Sequence, residues 1–265
     1  MNYRISVIMG VYNCAPTLAE ALDSLLDQTF QEFKVIMCDD GSTDNTVEVA
    51  QAYVDRYPDK FILIRNDHNM KLAATLNHCL EYVDTEYTAR MDGDDISLPT
   101  RFEQEIQFLD GHSEYAFVSC PMIYFDEYGD FKTGVAIEKP DNESFRKSTP
   151  FCHAPCMVRT SVYRQVGGYT VEPKTERMED YYLWYKIYRC GFKGYNLQEP
   201  LYKMRDDRNA KARRASLRNR LIGCKTDIEI AKGLRLKNPY CVPILKLFKI
   251  FVPFLPYSLY KYLRR

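Results

Sequence analysis

The sequence predicts an α/β fold, a mixed but mainly parallel sheet flanked by helices, with a helical extension at the C-terminal end. Three observations carry this expectation. Apolar β-type runs alternate with helical patterns over residues 5–91, the runs are continuously apolar as in strands covered on both faces, and leucines between the first two runs recur at helical spacing.

Strands are expected at "ISVIMGV" (5–11), "FKVIMCD" (33–39), "FILIR" (61–65) and "EYTARM" (86–91). Between the first two, Leu18, Leu22, Leu25 and Leu26 fall at i, i+4, i+7 and i+8, with Asn13 as N-cap and Pro16 near the first turn, which describes a crossover helix. A second helix follows Asp44, whose side chain can cap "NTVEVAQAYVDRY", and a third spans about Met70 to Val83. After Pro99 an amphipathic helix "TRFEQEIQFLDG" leads into "YAFVSC" and "MIYFDEYGDFKTGVAI", where Glu127 to Asp130 suits a hairpin turn, so antiparallel strands are expected there. "EDYYLWYKIYRC" reads as a helix with Leu183, Ile187 and Cys190 on one face and two acids in the first turn, where they suit the helix dipole.

A chain of 265 residues suits one large domain, or a domain with an appendage, and can bury a substantial core. The nine cysteines include no C-x-x-C pair, so neither a disulfide framework nor a zinc ribbon is expected, and a reducing cytoplasm fits. Cys152, His153 and Cys156 cluster without the second ligand pair that zinc needs. The opening "MNYRISVIMGVYN" has no basic leader before a long apolar core and reads as a first strand rather than a signal peptide.

The formal charge of zero hides an asymmetry. Residues 205–265 hold sixteen Lys+Arg against four Asp+Glu, a surplus of +12, which leaves −12 for residues 1–204. A division into 1–207 and a basic helical segment over 208–265 is therefore expected. In "CVPILKLFKIFVPFLPYSLYKYLRR" (241–265) no uncharged stretch approaches the ~20 residues of a spanning helix. Interfacial contact is expected instead, with Leu and Phe in lipid and Lys246, Lys249, Lys261, Arg264 and Arg265 toward anionic headgroups, on the cytoplasmic face of a membrane. A C-terminal helix packed on the core is the alternative. Mixed with Phe, Leu and Pro, the basic residues suit lipid better than a groove that tracks phosphates, so no nucleic-acid partner is expected.

Open α/β sheets bind ligands at the carboxyl ends of their strands. Two acidic clusters sit at such ends, "CDDGSTD" (38–44) and "MDGDD" (91–95), and adjacent parallel strands would bring them together. The chain has no G-x-G-x-x-G and no G-x-x-x-x-G-K to cradle a diphosphate. Asp92 and Asp94 supply hard oxygen ligands that suit Mg²⁺ or Mn²⁺ bridging to substrate phosphates. Asp-Gly pairs are also common turn residues, so the pattern alone is weak. An EF-hand is excluded by Ile96 and Ser97.

The ordered set "VYN", "DDGSTD", "HNMKLAATLN", "ARMDGDDISLPTRF", "HAPCMVR", "GGY" and "EDYYLW" resembles the family 2 glycosyltransferases of the GT-A fold over about residues 3 to 205. The resemblance implies a GT-A catalytic domain, the Rossmann-like fold of nucleotide-diphospho-sugar transferases, over 1–207. It implies that Asp40 contacts the nucleotide base, usually uracil, with Val11, Tyr12, Asn13 and Asp39 lining the same pocket, and that Arg90, Asp92 and Gly93 lie along the nucleotide sugar. Asp92 and Asp94 match the D-x-D pair, with Asp94 the direct metal ligand and Asp92 meeting ribose or metal-bound water. Asp180 matches the family's general base, with Glu179 beside it. Lys71 departs from the family, which often has glycine after Asn69, and is placed to reach base or diphosphate. His153 either touches phosphate or acceptor or is structural. Arg205 either forks onto phosphate or forms an ion pair with a nearby aspartate. The implied activity is inverting transfer of a sugar from a nucleotide diphosphate donor, a UDP-sugar, to a saccharide or lipid-linked acceptor in surface polysaccharide or lipopolysaccharide synthesis. The alternatives are a nucleotidyltransferase, which releases pyrophosphate, and a non-catalytic, membrane-associated nucleotide-sugar-binding protein.

Overall fold

The computed structural model describes residues 3–146, 148–206, 217–240 and 243. Its first part follows the expected alternation: β1 (Ile5–Val11), α1 (Ala15–Leu26), β2 (Phe33–Asp39), α2 (Thr46–Arg56), β3 (Phe61–Arg65), α3 (Leu72–Leu80) and β4 (Tyr87–Arg90). There follow β5 (Ile96–Ser97), α4 (Arg101–Gly111), β6 (Phe117–Ser119), β7 (Ile123–Asp126), β8 (Gly129–Thr133), β9 (Met157–Arg159), α5 (Thr160–Val166), α6 (Glu179–Arg189), β10 (Gly194–Asn196), β11 (Tyr202–Arg205) and α7 (Leu217–Gly233).

Among the described residues, seven strands form the main sheet in the order β10-β6-β9-β4-β1-β2-β3, and β5-β11-β7-β8 form a second sheet. In the main sheet β9 alone is antiparallel to its neighbours, β4 and β6. Of the segments expected to be antiparallel, "YAFVSC" supplies β6, which pairs antiparallel with β9 and parallel with β10, and the other forms the β7–β8 hairpin of the second sheet, closed by the Glu127 turn.

Alternation along the strands explains why both faces are covered. Val7, Met9 and Val11 of β1, with Val35 and Met37 of β2, join one core cluster with α1 and α4 residues, while Ile8, Ile36 and Cys38 join another with residues of α3, α5, α6 and α7. Burying apolar side chains contributes roughly 1.5–3 kcal/mol each, so strands apolar at every position suit the centre of such a layered fold.

Four points differ from expectation, the first being that the second helix has Asn45, not Asp44, at its N-cap, while the Asp44 carboxylate accepts the Thr46 N–H (3.0 Å). The first helix has Cys14, not Asn13, at its N-cap. The third helix begins at Leu72 because Lys71 takes φ 70°, a left-handed conformation that cannot continue a right-handed turn. In α6 burial extends beyond the expected stripe. Tyr181, Tyr182, Trp184, Tyr185 and Tyr188 are buried along with Leu183 and Ile187, while Cys190 is exposed just past the helix end. The physical reason is cover from several sides: Trp184 stacks on Phe117 of β6 (centroids 4.4 Å apart), Tyr181 packs on Phe145, and the Tyr182 hydroxyl donates to Glu229 of α7.

Helix α7 continues this packing, with Ile230 and Ala231 in the second core cluster alongside Leu234 and Leu236 that follow. The boundary expected at 207/208 and, apart from Pro243, the interfacial segment expected over 241–265 lie outside the described residues. Among the described residues no helix is long and apolar enough to cross a membrane.

Candidate active site

The two acidic clusters sit on either side of β1 rather than on adjacent strands. Val11 of β1 pairs in register with Asp39 of β2, and Ile8 with Arg90 of β4. Since β2 and β3 extend to one side of β1 and β4 to the other, the crevice at its carboxyl end is a switch point of the sheet.

On the β2 side, backbone and side-chain bonds organise a pocket wall. Val11 is buried, and its carbonyl accepts the Asp40 N–H (2.9 Å). Tyr12 is exposed. Asn13 adopts φ 48°; its N–H donates to Ser42 Oγ (3.0 Å) and its Oδ1 accepts the Thr43 N–H (2.8 Å), which ties β1 to the 41–44 loop. Asp39 is buried, accepts the Ser42 N–H (3.2 Å) and lies 3.6 Å from Arg65 Nε. Asp40 Oδ1 accepts from Asn66 Nδ2 and the Met70 N–H, both at 2.8 Å, and Oδ2 accepts the Lys71 N–H at 2.9 Å. The Lys71 ammonium reaches Glu176 at 2.6 Å.

The β4 side carries the remaining charges. Arg90 is 4% exposed, pairs with Asp92 Oδ1, and leaves its Nε without a partner among the described residues. The Asp92 N–H donates to the Tyr202 hydroxyl (3.1 Å). A Cβ on Gly93 would lie 2.8 Å from Cys14 Sγ, so the loop packs against the start of α1 without room for a side chain. Asp94 is exposed at the tip, where desolvation by the surrounding protein and then Asp92 raise its carboxyl. Asp95 is buried, accepts the Arg205 N–H (2.8 Å) and is pushed up to about 8, by burial first and then by Asp92 and Asp94. Arg205 donates from Nε to the Asp94 carbonyl (3.0 Å) and pairs with Glu20.

A cleft of about 820 Å³ opens beside this loop, and Arg90, Asp92, His153 and Asp180 all line it. His153 meets the Tyr169 hydroxyl through Nε2 (2.8 Å), and burial, reinforced by Arg90, holds it well below the usual imidazole range and hence neutral. Asp180 stands in the first turn of α6. Burial raises its carboxyl to about 6, with the Tyr181 N–H and Arg90 opposing the rise and Glu179 adding to it. Glu179 instead lines a neighbouring cleft of about 480 Å³ with Lys71 and Glu176. The structure therefore unites Asp92 and Asp180 in one cleft, with Asp94 on the loop beside it and Glu179 directed elsewhere.

Residues 6–167 match the family model described as Glycosyl transferase family 2. The chain belongs to glycosyltransferase family 2. The glycosyltransferase is 46% identical over 212 residues, 80% of its length, to a Bacillus subtilis (strain 168) protein named as a glycosyltransferase, EpsE, of which the match covers 76%. Its fold is GT-A. S. aureus TarS 1-349, solved in complex with UDP-GlcNAc, superposes with a TM-score of 0.70 at 19% identity, over 92% of this chain and 70% of that one. The mannosyltransferase PcManGT from Pyrobaculum calidifontis, in complex with GDP-Man and Mn2+, gives a TM-score of 0.65 at 17% identity over 94% and 70% of the two chains. At these identities the structural likeness establishes the fold.

Beneath the Asp92–Asp94 loop of the transferase lies a pair that sequence reasoning missed. Arg101 and Glu105 are both fully buried, 3.2 Å apart, one turn along α4. Arg101 also donates to the Arg90 carbonyl (2.9 Å), which anchors the end of β4 under Asp92. An Arg and a Glu at i, i+4 in an amphipathic helix carry the same signal as a surface pair. Burial raises Glu105 to about 7 against the pull of Arg101.

Proposed function

We propose that the protein transfers a sugar, with inversion at the anomeric carbon, from a nucleotide diphosphate donor, a UDP-sugar, to a hydroxyl of a saccharide or lipid-linked acceptor in surface polysaccharide or lipopolysaccharide synthesis. The supporting observation is that Asp92 and Asp180 line one cleft while differing in environment, since Asp92 is paired with Arg90 and Asp180 is raised by burial. Groups with such contrasting settings in one cleft suit separate roles in proton and charge handling. The nucleoside lies along Val11, Tyr12, Asn13, Asp39 and Asp40, with Arg90, Asp92 and Gly93 along its diphosphate and sugar. Asp180 takes the proton of the acceptor hydroxyl as its oxygen bonds to the anomeric carbon. The carbon–oxygen bond to the diphosphate breaks, and its electron pair leaves with the nucleotide.

Asp94 and Asp92 would hold Mn²⁺ or Mg²⁺, which when bound supplies charge neutralisation for the diphosphate. Desolvation, and after it the neighbouring Asp92, raises the Asp94 carboxyl, and a bound cation would favour its charged form. Among the described residues no group of three or more His, Cys, Asp or Glu is arranged to hold an ion, so the remaining ligands would be substrate oxygens and water.

Incubation with a panel of nucleotide sugars and Mn²⁺ is expected to release the nucleoside diphosphate slowly without acceptor, and Asp94→Asn to abolish this with the fold kept. Pyrophosphate release would indicate nucleotidyl transfer, and wild-type rates in Asp94→Asn would remove Asp94 from the site. We further read residues 1–207 as catalytic and 208–265 as the membrane-apposed part of a cytoplasmic, peripheral enzyme, on the basic and apolar sequence of the tail. Deleting residues 241–265 is expected to weaken sedimentation with anionic vesicles. Unchanged sedimentation would favour a tail packed on the core.

A further inference from the structure

Behind Asp40 runs a chain of hydrogen bonds that the transfer reaction does not use. Asn66 Nδ2 donates to Asp40 Oδ1 (2.8 Å) and to Thr75 Oγ1 (3.1 Å), while Asn66 Oδ1 faces His78 Nδ1 (2.8 Å) and the Cys38 thiol (3.5 Å). The direction of this chain follows from donor and acceptor chemistry. The other groups meeting Asp40 are the backbone N–H groups of Met70 and Lys71, so its carboxylate works as an acceptor and Asn66 must turn its NH₂ toward it. An amide oxygen cannot donate, so His78 carries a proton on Nδ1. Both N–H bonds of the Asn66 amide and both faces of its oxygen are then used, and a flipped amide would set its oxygen against the carboxylate.

Of the roughly four lone-pair positions on a carboxylate, protein donors fill three on Asp40, which leaves one on Oδ2. A base that binds there must bring a hydrogen. Uracil and guanine carry a ring N–H on their pairing edge, whereas cytosine and adenine set a bare ring nitrogen against the carboxylate at that place and donate only from an exocyclic amino group to one side of it.

We propose that His78, acting through Asn66, is a positioning residue that holds the Asp40 carboxylate in place, so that its remaining Oδ2 position selects donor nucleotides whose base carries a ring N–H. This deepens the nucleotide-sugar reading and rests on its placement of the base at Asp40. Thr75 is bonded independently to the Lys71 carbonyl (3.0 Å), so the start of α3 keeps an anchor when His78 is changed.

The test is calorimetric titration of the full chain with UDP, GDP, CDP and ADP in the presence of Mn²⁺. Wild type should bind UDP or GDP at least about 10-fold more tightly than CDP and ADP, because a wrong base leaves the Asp40 position unpaired. Asn66→Asp sets two carboxyls against each other to share a proton, and should erase that preference. His78→Leu should reduce the preference several-fold, while His78→Gln, which keeps an N–H, should restore it. Retention of wild-type discrimination in His78→Leu, or equal weakening of all four nucleotides, overturns the relay and leaves the base-contact reading standing. If Asn66→Asp loses its thermal transition, the His78 pair decides. If Asp40→Ala discriminates as wild type does, or wild type binds none of the four, the base-contact reading fails and the relay fails with it.

Discussion

Replacing Asp180 by Asn is expected to lower kcat by about 10²- to 10⁴-fold, the usual contribution of a positioned general base, with donor affinity unchanged. That corresponds to roughly 3–5 kcal/mol of barrier. The amide keeps the shape of the side chain but cannot take the acceptor's proton. The pH dependence provides an independent check. As a base, Asp180 must be unprotonated, and burial has moved its carboxyl up to about 6. Wild-type kcat/KM at fixed metal should therefore fall as pH drops through about 6, and this limb should be missing from the residual activity of Asp180→Asn. Loss of donor affinity with turnover preserved would place Asp180 on the donor instead.

Replacing Arg101 by Met should cost about 3–5 kcal/mol of stability at pH 8, because it strips the partner from a fully buried carboxylate. The loss should be smaller at pH 5. A carboxyl raised on folding contributes its full stability below its unfolded value and loses it as pH rises through the folded one. For Glu105 that window runs from 4.5 to about 7 in the wild type, and removing Arg101, which holds it down, extends it upward. Glu105 is then neutral at pH 5 and least in need of a partner. Urea unfolding at the two pH values measures this. Equal losses at both would assign the effect to lost packing around Tyr202 and Phe102, whose rings Arg101 covers at 5.1 and 5.2 Å.

Strand positions were legible because continuous apolar runs have one good use in this architecture, and four of the runs became β1 to β4 with little shift. The candidate site was legible in part because Asp39, Asp40, Asp92 and Asp94 close or follow those runs, whereas Asp180 opens α6. What stayed hidden depends on contacts far apart in sequence. Tyr202 meets Asp92, and Asp95 meets Arg205, each across 110 positions, and nothing local marks either pair. The shared burial of Arg101 and Glu105 is likewise decided by what covers α4. The short β5 strand forms by pairing with β11, so its two residues carry no pattern of their own. Glu179 and Asp180 are neighbours in sequence, yet successive positions on a helix diverge by about 100°, which is why they face different clefts.

The antiparallel strand β9 also acts as a spacer. Asp92 follows β4, while α6, bearing Asp180, is pinned to β6 by the Trp184–Phe117 stack, and β9 is the one strand between them. Hydrogen-bonded strands repeat at about 4.8 Å, so two intervals hold the two supports roughly 10 Å apart. Under the proposed reaction, the breadth available to a pyranose would thereby be gauged by main-chain geometry, which side-chain substitution alters little, and changes of sugar preference would come from what decorates that gap.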